Sequence, residues 1–313
     1  MDHPERPTPP DHGGGSLVNL MAEIEWRMTG RALAPRLHRD LAEVLPEAET
    51  YLVVLFDGLG AHQLAHEAAS PLAGAQRAII DAPFPTTTTV SLASIATATT
   101  PGLHGWFGHV VWVPELGETV NSLKWFGRGG KPVSYDTETF TPRPNLWERL
   151  SEAGREPITI QPGHFGGSPL SRAIYRGARF ESVWSTDEIE DAAITLASQP
   201  HRLLLAYFPQ VDFAAHLHGQ KSDEYAEAVQ LVASSWDRLA SRLPTGTVMV
   251  GTADHGHIDY RQRDKHIIDR RQAGSLNLFG DPRALYAKGT DTDIAALEAR
   301  LPATWHPIES MES

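Results

Sequence analysis

Three apolar runs of this 313-residue chain end directly in side chains that can bind a metal ion. The run "YLVVLF" (51–56) leads into Asp57 and Gly58. "RLLLAYF" (202–208) leads into "PQVDFAAHLHG", which carries Asp212 and His216. "TVMVGT" (247–252) leads into "ADHGH", which carries Asp254 and His255, with His257 keeping the turn rich in histidine. Singly, each has an ordinary reading: an Asp after a strand caps a helix or forms a turn, and Asp212 with His216 sits one helical turn apart as surface pairs do. Adjacent Asp and His on a glycine-flanked turn are harder to explain by capping, and three independent structural roles would have to coincide at one edge of a sheet. A metal site accounts for all of them together.

The chain has no cysteine, so the ligands must be His, Asp or Glu, and there are fifteen histidines. Such donors suit zinc first, with manganese or another divalent ion as the alternative. The six side chains at these run ends exceed what one tetrahedral ion takes and suit two. Paired ions about 4 Å apart can clamp the attacking and leaving oxygens of an in-line phosphoryl displacement. That chemistry needs a nucleophile, and the stretch "DAPFPTTTTVSLASIATATTPGLHG" (81–105) offers four consecutive threonine hydroxyls, 86–89. Threonine is poor helix-interior material and good material for a helix start, so the plain reading of the run is a cap for the helix "SLASIATA". A metal at the same place would turn one of these hydroxyls into a nucleophile.

The elements that must position these residues are legible as short apolar strands, including "PITI" (157–160), alternating with segments of helical period. "AHQLAHEAA", "NLWERLSEAG" and the long amphipathic "SDEYAEAVQLVASSWDRLASRL" are the clearest of the helical segments. This predicts an α/β fold with a mostly parallel central sheet sandwiched by helices, in which ligands bind beyond the carboxyl ends of the strands. Residues 1–15, polar and rich in Pro and Gly, read as a disordered tail, and 16–313 as a single domain. Two insertions interrupt the alternation, at about 104–144 and 257–290, where long loops often serve as lids. The first holds His104, His109, Lys124 and the aromatic residues Trp106, Phe107, Trp112 and Trp125, which form either a platform for a planar substrate group or a locally packed lid core.

A net charge of −12 argues against nucleic acid or an anionic membrane surface as partner. No apolar run approaches the ~20 residues that span a bilayer, and the N-terminus lacks the pattern of a signal peptide, so a cytoplasmic location is expected.

The order Asp57-Gly58, "FPTTTTVSLASIATATTPGLHG", Asp212 with His216, then "DHG" resembles the alkaline phosphatase superfamily, in its nucleotide pyrophosphatase/phosphodiesterase branch, over about residues 50 to 260. The branch places its nucleophilic Thr three residues after a proline. Counting from Pro85, the resemblance implies Thr88 as nucleophile, Ser91 at a position usually held by a substrate-contacting Asn, and "PGLHG" (101–105) as the closing motif. It further implies that Asp57, Thr88, Asp254 and His255 hold the ion that activates the nucleophile, and that Asp212 and His216 begin the second site. The third histidine of that site lies in the branch well downstream, in an H-G context. Here His266 and His306 stand in other contexts and read as surface residues, so the expectation is an incomplete second site and a chain lacking the family's C-terminal segment. The implied activity is a metal-dependent phosphodiesterase or nucleotide pyrophosphatase-like hydrolase with two divalent ions, zinc foremost. Its intermediate would be a phosphothreonine and its substrate a small phosphodiester or nucleotide-like molecule. Phosphomonoester, phosphonate or sulfate ester hydrolysis on the same fold, or a non-catalytic metal-binding module, are the alternatives.

Overall fold

A computed structural model describes residues 8–268 and 273–306. The strands β1 (Thr50–Phe56), β5 (Glu156–Pro162), β6 (Arg179–Val183), β7 (Arg202–Phe208) and β8 (Thr247–Thr252) join in one parallel sheet of order β6-β5-β7-β1-β8, in which the apolar central strands β5, β7 and β1 are buried and the edge strands β6 and β8 are less covered. The strand β1 lies between β7 and β8, with Phe56 opposite Phe208 and Leu55 opposite Thr252. That register sets the three run ends side by side. The α/β class and central parallel sheet expected from the sequence are therefore those of the folded chain.

Helices connect and cover the strands: α1 (Leu17–Thr29), α2 (Arg39–Glu43), α3 (Ser70–Ala75), α4 (Thr88–Thr97), α5 (Pro101–His104), α6 (Leu146–Glu152), α7 (Pro169–Ile174), α8 (Thr186–Ala197), α9 (Gln210–His218) and α10 (Asp223–Arg242). Side chains alternate across a strand, so β1 sends Tyr51, Val53 and Leu55 to one face and Leu52, Val54 and Phe56 to the other. On the first face they meet Met21 and Ile24 of α1, Leu92 and Ile95 of α4, and Leu146 and Trp147 of α6. On the second they meet Ile189 of α8, Val211 of α9, and Val229 and Val232 of α10. Each such fully buried apolar side chain contributes about 1.5–3 kcal/mol of transfer free energy. The sheet is thus packed against helices on both sides. None of the helices among the described residues is long and apolar enough to cross a membrane.

The two insertions are one structure. The first supplies β2 (Val110–Val113), β3 (Glu118–Asn121) and β4 (Phe126–Gly127), the second supplies β9 (Asn277–Asp281) and β10 (Ala284–Lys288), and the five pair antiparallel in the order β10-β9-β2-β3-β4. Val111, Val113 and Val120 of this smaller sheet continue the core of the first face. The aromatic residues of the first insertion form its packing: Trp106 meets Phe140 edge-on at 5.0 Å, Trp125 stacks on Tyr135 at 5.2 Å, and both tryptophans are buried. Of the two readings of this cluster, the locally packed one holds for Trp106 and Trp125, because rings already covered on both faces cannot take a substrate base.

The N-terminal stretch departs from the sequence expectation. Residues 1–7 lie outside the described residues, but 11–16 are tied to the body of the protein. The Asp11 amide donates to the Asp81 carboxylate, Asp11 pairs with His38 at 2.8 Å, and the His38 amide donates to the Gly14 carbonyl. Ser16 then bridges Asp81. Composition marks this stretch as polar and flexible, whereas partners distant in sequence satisfy its backbone.

Candidate functional site

The junctions that follow β1 and β8 build a first cluster, and the helix start of α4 faces it. The Asp57 amide donates to the Phe208 carbonyl and the Asp57 carbonyl accepts from the Asp212 amide, which locks the ends of β1 and β7 together. Gly58 has φ +72°, and a Cβ there would come within 2.9 Å of the Asp212 side chain, so only glycine fits between the two. One carboxylate oxygen of Asp254, Oδ1, accepts the amides of Gly58 and His255, each at 3.0 Å. Its other oxygen, Oδ2, is buried without a hydrogen-bond partner.

His255 completes the cluster in a defined tautomer. Its Nδ1 lies 2.8 Å from the Gly256 carbonyl oxygen, which only accepts, so Nδ1 carries the proton and Nε2 presents a lone pair. That Nε2 stands 3.5 Å from Asp57 Oδ1, 3.4 Å from Asp254 Oδ2 and 3.0 Å from the Thr88 hydroxyl, which is itself 3.4 Å from Asp57 Oδ1. Four ligand-type atoms therefore converge with only the Thr88 proton to share. Two ligands of a tetrahedral ion with bonds of about 2.0–2.1 Å are about 3.3 Å apart, so these spacings fit a bound cation.

The electrostatics agree. Burial, reinforced by the charges of Asp254 and Asp212, pushes the Asp57 carboxyl well above its ordinary range. Burial also pushes Asp254 up to about 6, against the pull of the amide hydrogen bonds it accepts. Two buried carboxylates this close disfavour each other's ionisation unless a cation joins them. The Tyr207 hydroxyl donates a short hydrogen bond to the outer oxygen of Asp57, and burial raises that hydroxyl's own pKa well above its usual value. Tyr207 thereby leaves Oδ1 of Asp57 facing the cluster.

A second cluster lies beside the first. Asp212 and His216 sit one turn apart on α9 with 3.4 Å between Oδ2 and Nε2, and His257 reaches in from the loop after β8 to 3.5 Å from Asp212 Oδ1. Ligand atoms of Asp212, His216 and His257 lie within 4.8 Å of one another, as do those of Asp57, Asp254 and His255. The two imidazoles meet edge-on at 4.9 Å. Burial raises the Asp212 carboxyl, but the facing His257 and the nearby His216 and His255 outweigh it, and the net shift is downward.

The structure thus brings Asp57, Thr88, Asp254 and His255 together, and Asp212 with His216 next to them. His257, counted among the six candidate ligands but assigned to neither site from the sequence, joins the second cluster; the signal was its spacing, two residues beyond an Asp-His pair. Two expectations change. Ser91 is fully buried and its hydroxyl donates to the Asp254 carbonyl at 2.8 Å, so it braces the ligand-bearing turn against α4 instead of facing a substrate. A serine at this depth is too short to reach past the helix surface. The cap reading of the threonine run also yields: Thr87 is the N-cap residue, yet no side chain caps α4, and the amides of its first turn stay available to an anion. The closing motif "PGLHG" is likewise structural. His104 is buried, its Nδ1 accepts the Trp106 amide at 3.1 Å and its Nε2 meets the Ser94 hydroxyl at 2.9 Å. Neither His266 nor His306 belongs to a ligand cluster among the described residues.

An α/β scaffold with a hydroxyl at a helix start, set among carboxylates and imidazoles at the carboxyl edge of a parallel sheet, is an arrangement suited to hydrolysis of phosphoric esters. The sequence matches the family type I phosphodiesterase / nucleotide pyrophosphatase over residues 51–276, most of the chain, and the protein belongs to that family. No curated protein matches the chain in sequence. Among solved structures, it is similar to murine ectonucleotide pyrophosphatase/phosphodiesterase 5, seen as an inactive variant in complex with AMP (TM-score 0.59, 15% identity, 80% of this chain and 70% of that one). The human counterpart aligns with a TM-score of 0.56 and 14% identity over 79% of this chain and 68% of that one. Phosphonoacetate hydrolase from Sinorhizobium meliloti aligns more loosely (TM-score 0.48, 17% identity, 68% and 57%). The two likenesses to ectonucleotide pyrophosphatase/phosphodiesterase 5 bear out the alkaline-phosphatase-like fold expected from the sequence.

Proposed function

We propose that the protein is a metal-dependent phosphodiesterase of the nucleotide pyrophosphatase type, with Thr88 as nucleophile and two divalent ions, zinc foremost. The observation that carries this reading is the approach of His255 Nε2 to the Thr88 hydroxyl, Asp57 Oδ1 and the unpartnered Asp254 Oδ2 alike, with Asp57 Oδ1 also facing that hydroxyl. Asp57, Thr88, Asp254 and His255 would hold one ion, and Asp212 and His216 would take part in holding the other. When bound, the ions supply the positive charge that lowers the hydroxyl pKa of threonine and balances charge on the entering and leaving oxygens.

The remaining work falls to the chain itself. Thr88 sits on the first residue of α4, whose free amides favour the negative phosphoryl oxygens. Its Oγ1 gives up its proton to solvent and bonds to phosphorus while the bond to the leaving oxygen breaks on the opposite side. A water molecule then attacks phosphorus of the threonine-bound phosphoryl group, which keeps the second ester of the substrate, releases it as a phosphomonoester and restores the hydroxyl. Tyr207 and the amides of Gly58 and His255 hold the carboxylates in place, so little reorganisation accompanies the charge movement. The preference for diesters over monoesters follows the family resemblance, and the preference for nucleotide-like groups follows both that resemblance and the AMP bound by the murine neighbour.

The test is hydrolysis of bis(p-nitrophenyl) phosphate beside p-nitrophenyl phosphate with zinc titrated in, on wild type and Thr88→Ala. The expected result is faster diester turnover, lost by about 10⁴-fold or more in Thr88→Ala, and an acid-quenched adduct in the wild type in which Thr88 carries phosphorus with the remaining p-nitrophenyl ester. Faster monoester turnover, or an active Thr88→Ala, would overturn the assignment.

A further inference from the structure

We infer that His257 is the third ligand of the second ion and that Gln63 is the positioning residue that holds it there; this rests on the two-ion reading above. Two observations on the second cluster make the assignment. Asp212 Oδ1 is buried without a hydrogen-bond partner, and the ring nitrogen nearest to it in the cluster, His257 Nδ1, stands off at 3.5 Å. That spacing is long for a hydrogen bond and close to the ~3.3 Å that separates two ligands on one tetrahedral ion with zinc-like bond lengths. The Asp212 to His216 spacing of 3.4 Å is of the same kind. An Asp and two His facing one another at ion-sharing distances form a three-residue set, the number a catalytic zinc takes from the protein when it keeps one position open.

What places His257 there is the path of its loop. Residues 254–257 leave β8 without regular structure, and the chain passes so close to the turn after β1 that a Cβ on Gly60 would come within 2.7 Å of the Gly256 backbone. Gln63 fixes this passage: its Nε2 donates to the His257 carbonyl at 2.8 Å and to the Gln220 side chain at 2.9 Å. Gln220 in turn donates its amide to Asp259, two residues beyond His257, so the loop is held on both sides of the ligand. One four-residue turn then serves both ions, with Asp254 and His255 on the first and His257 on the second. The ligand set of the second site is local, spanning 212 to 257, and needs no histidine from further along the chain.

The experiment is zinc titration of the chelator-stripped full-length chain by calorimetry, with metal content by mass spectrometry and cobalt substitution for the visible spectrum. Wild type should bind two ions. His257→Ala should keep one ion at wild-type affinity and weaken the other at least 10-fold, with loss of one component of the cobalt spectrum. Gln63→Leu should weaken the same ion about 10-fold and spare the first, the size of loss expected when a partner that orients a ligand is removed. His218→Ala, on the same helix but outside the cluster, should bind two ions as wild type does. His257→Gln, of similar volume, repeats the measurement should the alanine variant fold poorly. Two ions at wild-type affinity in both His257 variants, or a single ion in the wild type, would overturn the inference. Two ions in wild type and one in the variants, without any ester hydrolysis, would leave the inference standing and remove the proposed function instead.

Discussion

The two ligand clusters hold the same kinds of residue in opposite environments. In the first, the side chains of Asp57, Asp254 and His255 are 5, 0 and 9% exposed; in the second, those of Asp212, His216 and His257 are 15, 67 and 14% exposed. The carboxylates respond in opposite directions: burial dominates in the first cluster and raises Asp57 and Asp254, while facing imidazoles dominate in the second and lower Asp212. The difference follows from where the residues sit. Asp57 and Asp254 lie just past the ends of adjacent strands, whereas Asp212 and His216 stand on α9, Asp212 packed against Gly58 and His216 open to solvent. The first cluster is therefore assembled and electrostatically frustrated before a cation arrives, and the second is open and partly neutralised by its own histidines.

If burial sets the direction of these shifts, a buried histidine away from both clusters should show the effect at its largest. Burial pushes His104 down to about 3. Its folded pKa lies below the ordinary 6.5, so the unfolded state binds more protons between these values. Its contribution is intact above pH 6.5 and is lost as pH falls towards 3, by about 4–5 kcal/mol in full. Urea denaturation across this range should show a shallower acid slope in His104→Gln than in wild type; equal slopes would break the rule.

Asp254 should behave in the opposite sense. Its folded pKa of about 6 lies above the unfolded value, so with chelator present the wild type loses stability as pH rises through about 6. Metal-free Asp254→Asn should be more stable than wild type at pH 7 by about 2 kcal/mol, yet gain nothing from the first ion. A destabilised variant would show that the site is not frustrated. Tyr207→Phe removes the hydrogen bond that turns Asp57 towards the cluster, and should weaken the first ion several-fold, by about 1 kcal/mol, without changing the second. Equal losses at both ions, read by zinc calorimetry, would count against that role. The smallest effect belongs to Asp212→Asn, which removes a charge the second cluster favours and should destabilise the metal-free protein by under about 1 kcal/mol at pH 7. Its sign, opposite to that of Asp254→Asn, is the sharpest form of the contrast.

The residues differ in how readable they were. The strands 51–56 and 202–208 announce themselves because a strand buried on both faces is apolar nearly throughout, the half-buried edge strand 247–252 carries a weaker form of the same pattern, and the polar residues after each mark the edge where ligands bind. Thr88 was reached from the resemblance, by counting from Pro85. The aromatic residues of 104–144 were ambiguous, since the same rings serve a platform or a core, and only their mutual packing at 5.0 and 5.2 Å separates the two. Ser91 was misjudged because its burial depends on how α4 lies against the Asp254 turn. The stretch 11–16 looked unattached because its partners, Asp81 and His38, are remote in sequence.

Local pattern by itself determined the layered α/β class, the strand ends that bear ligands and the exclusion of thiolate metal sites, because periodicity, turn chemistry and residue type act over a few positions. Tertiary structure alone decided that two insertions more than a hundred residues apart share one sheet, that His255 aims Nε2 at Thr88, and that His257 faces Asp212. Those outcomes depend on register between strands and on the close passage of one loop past another, and neither leaves a mark in the order of residues along the chain.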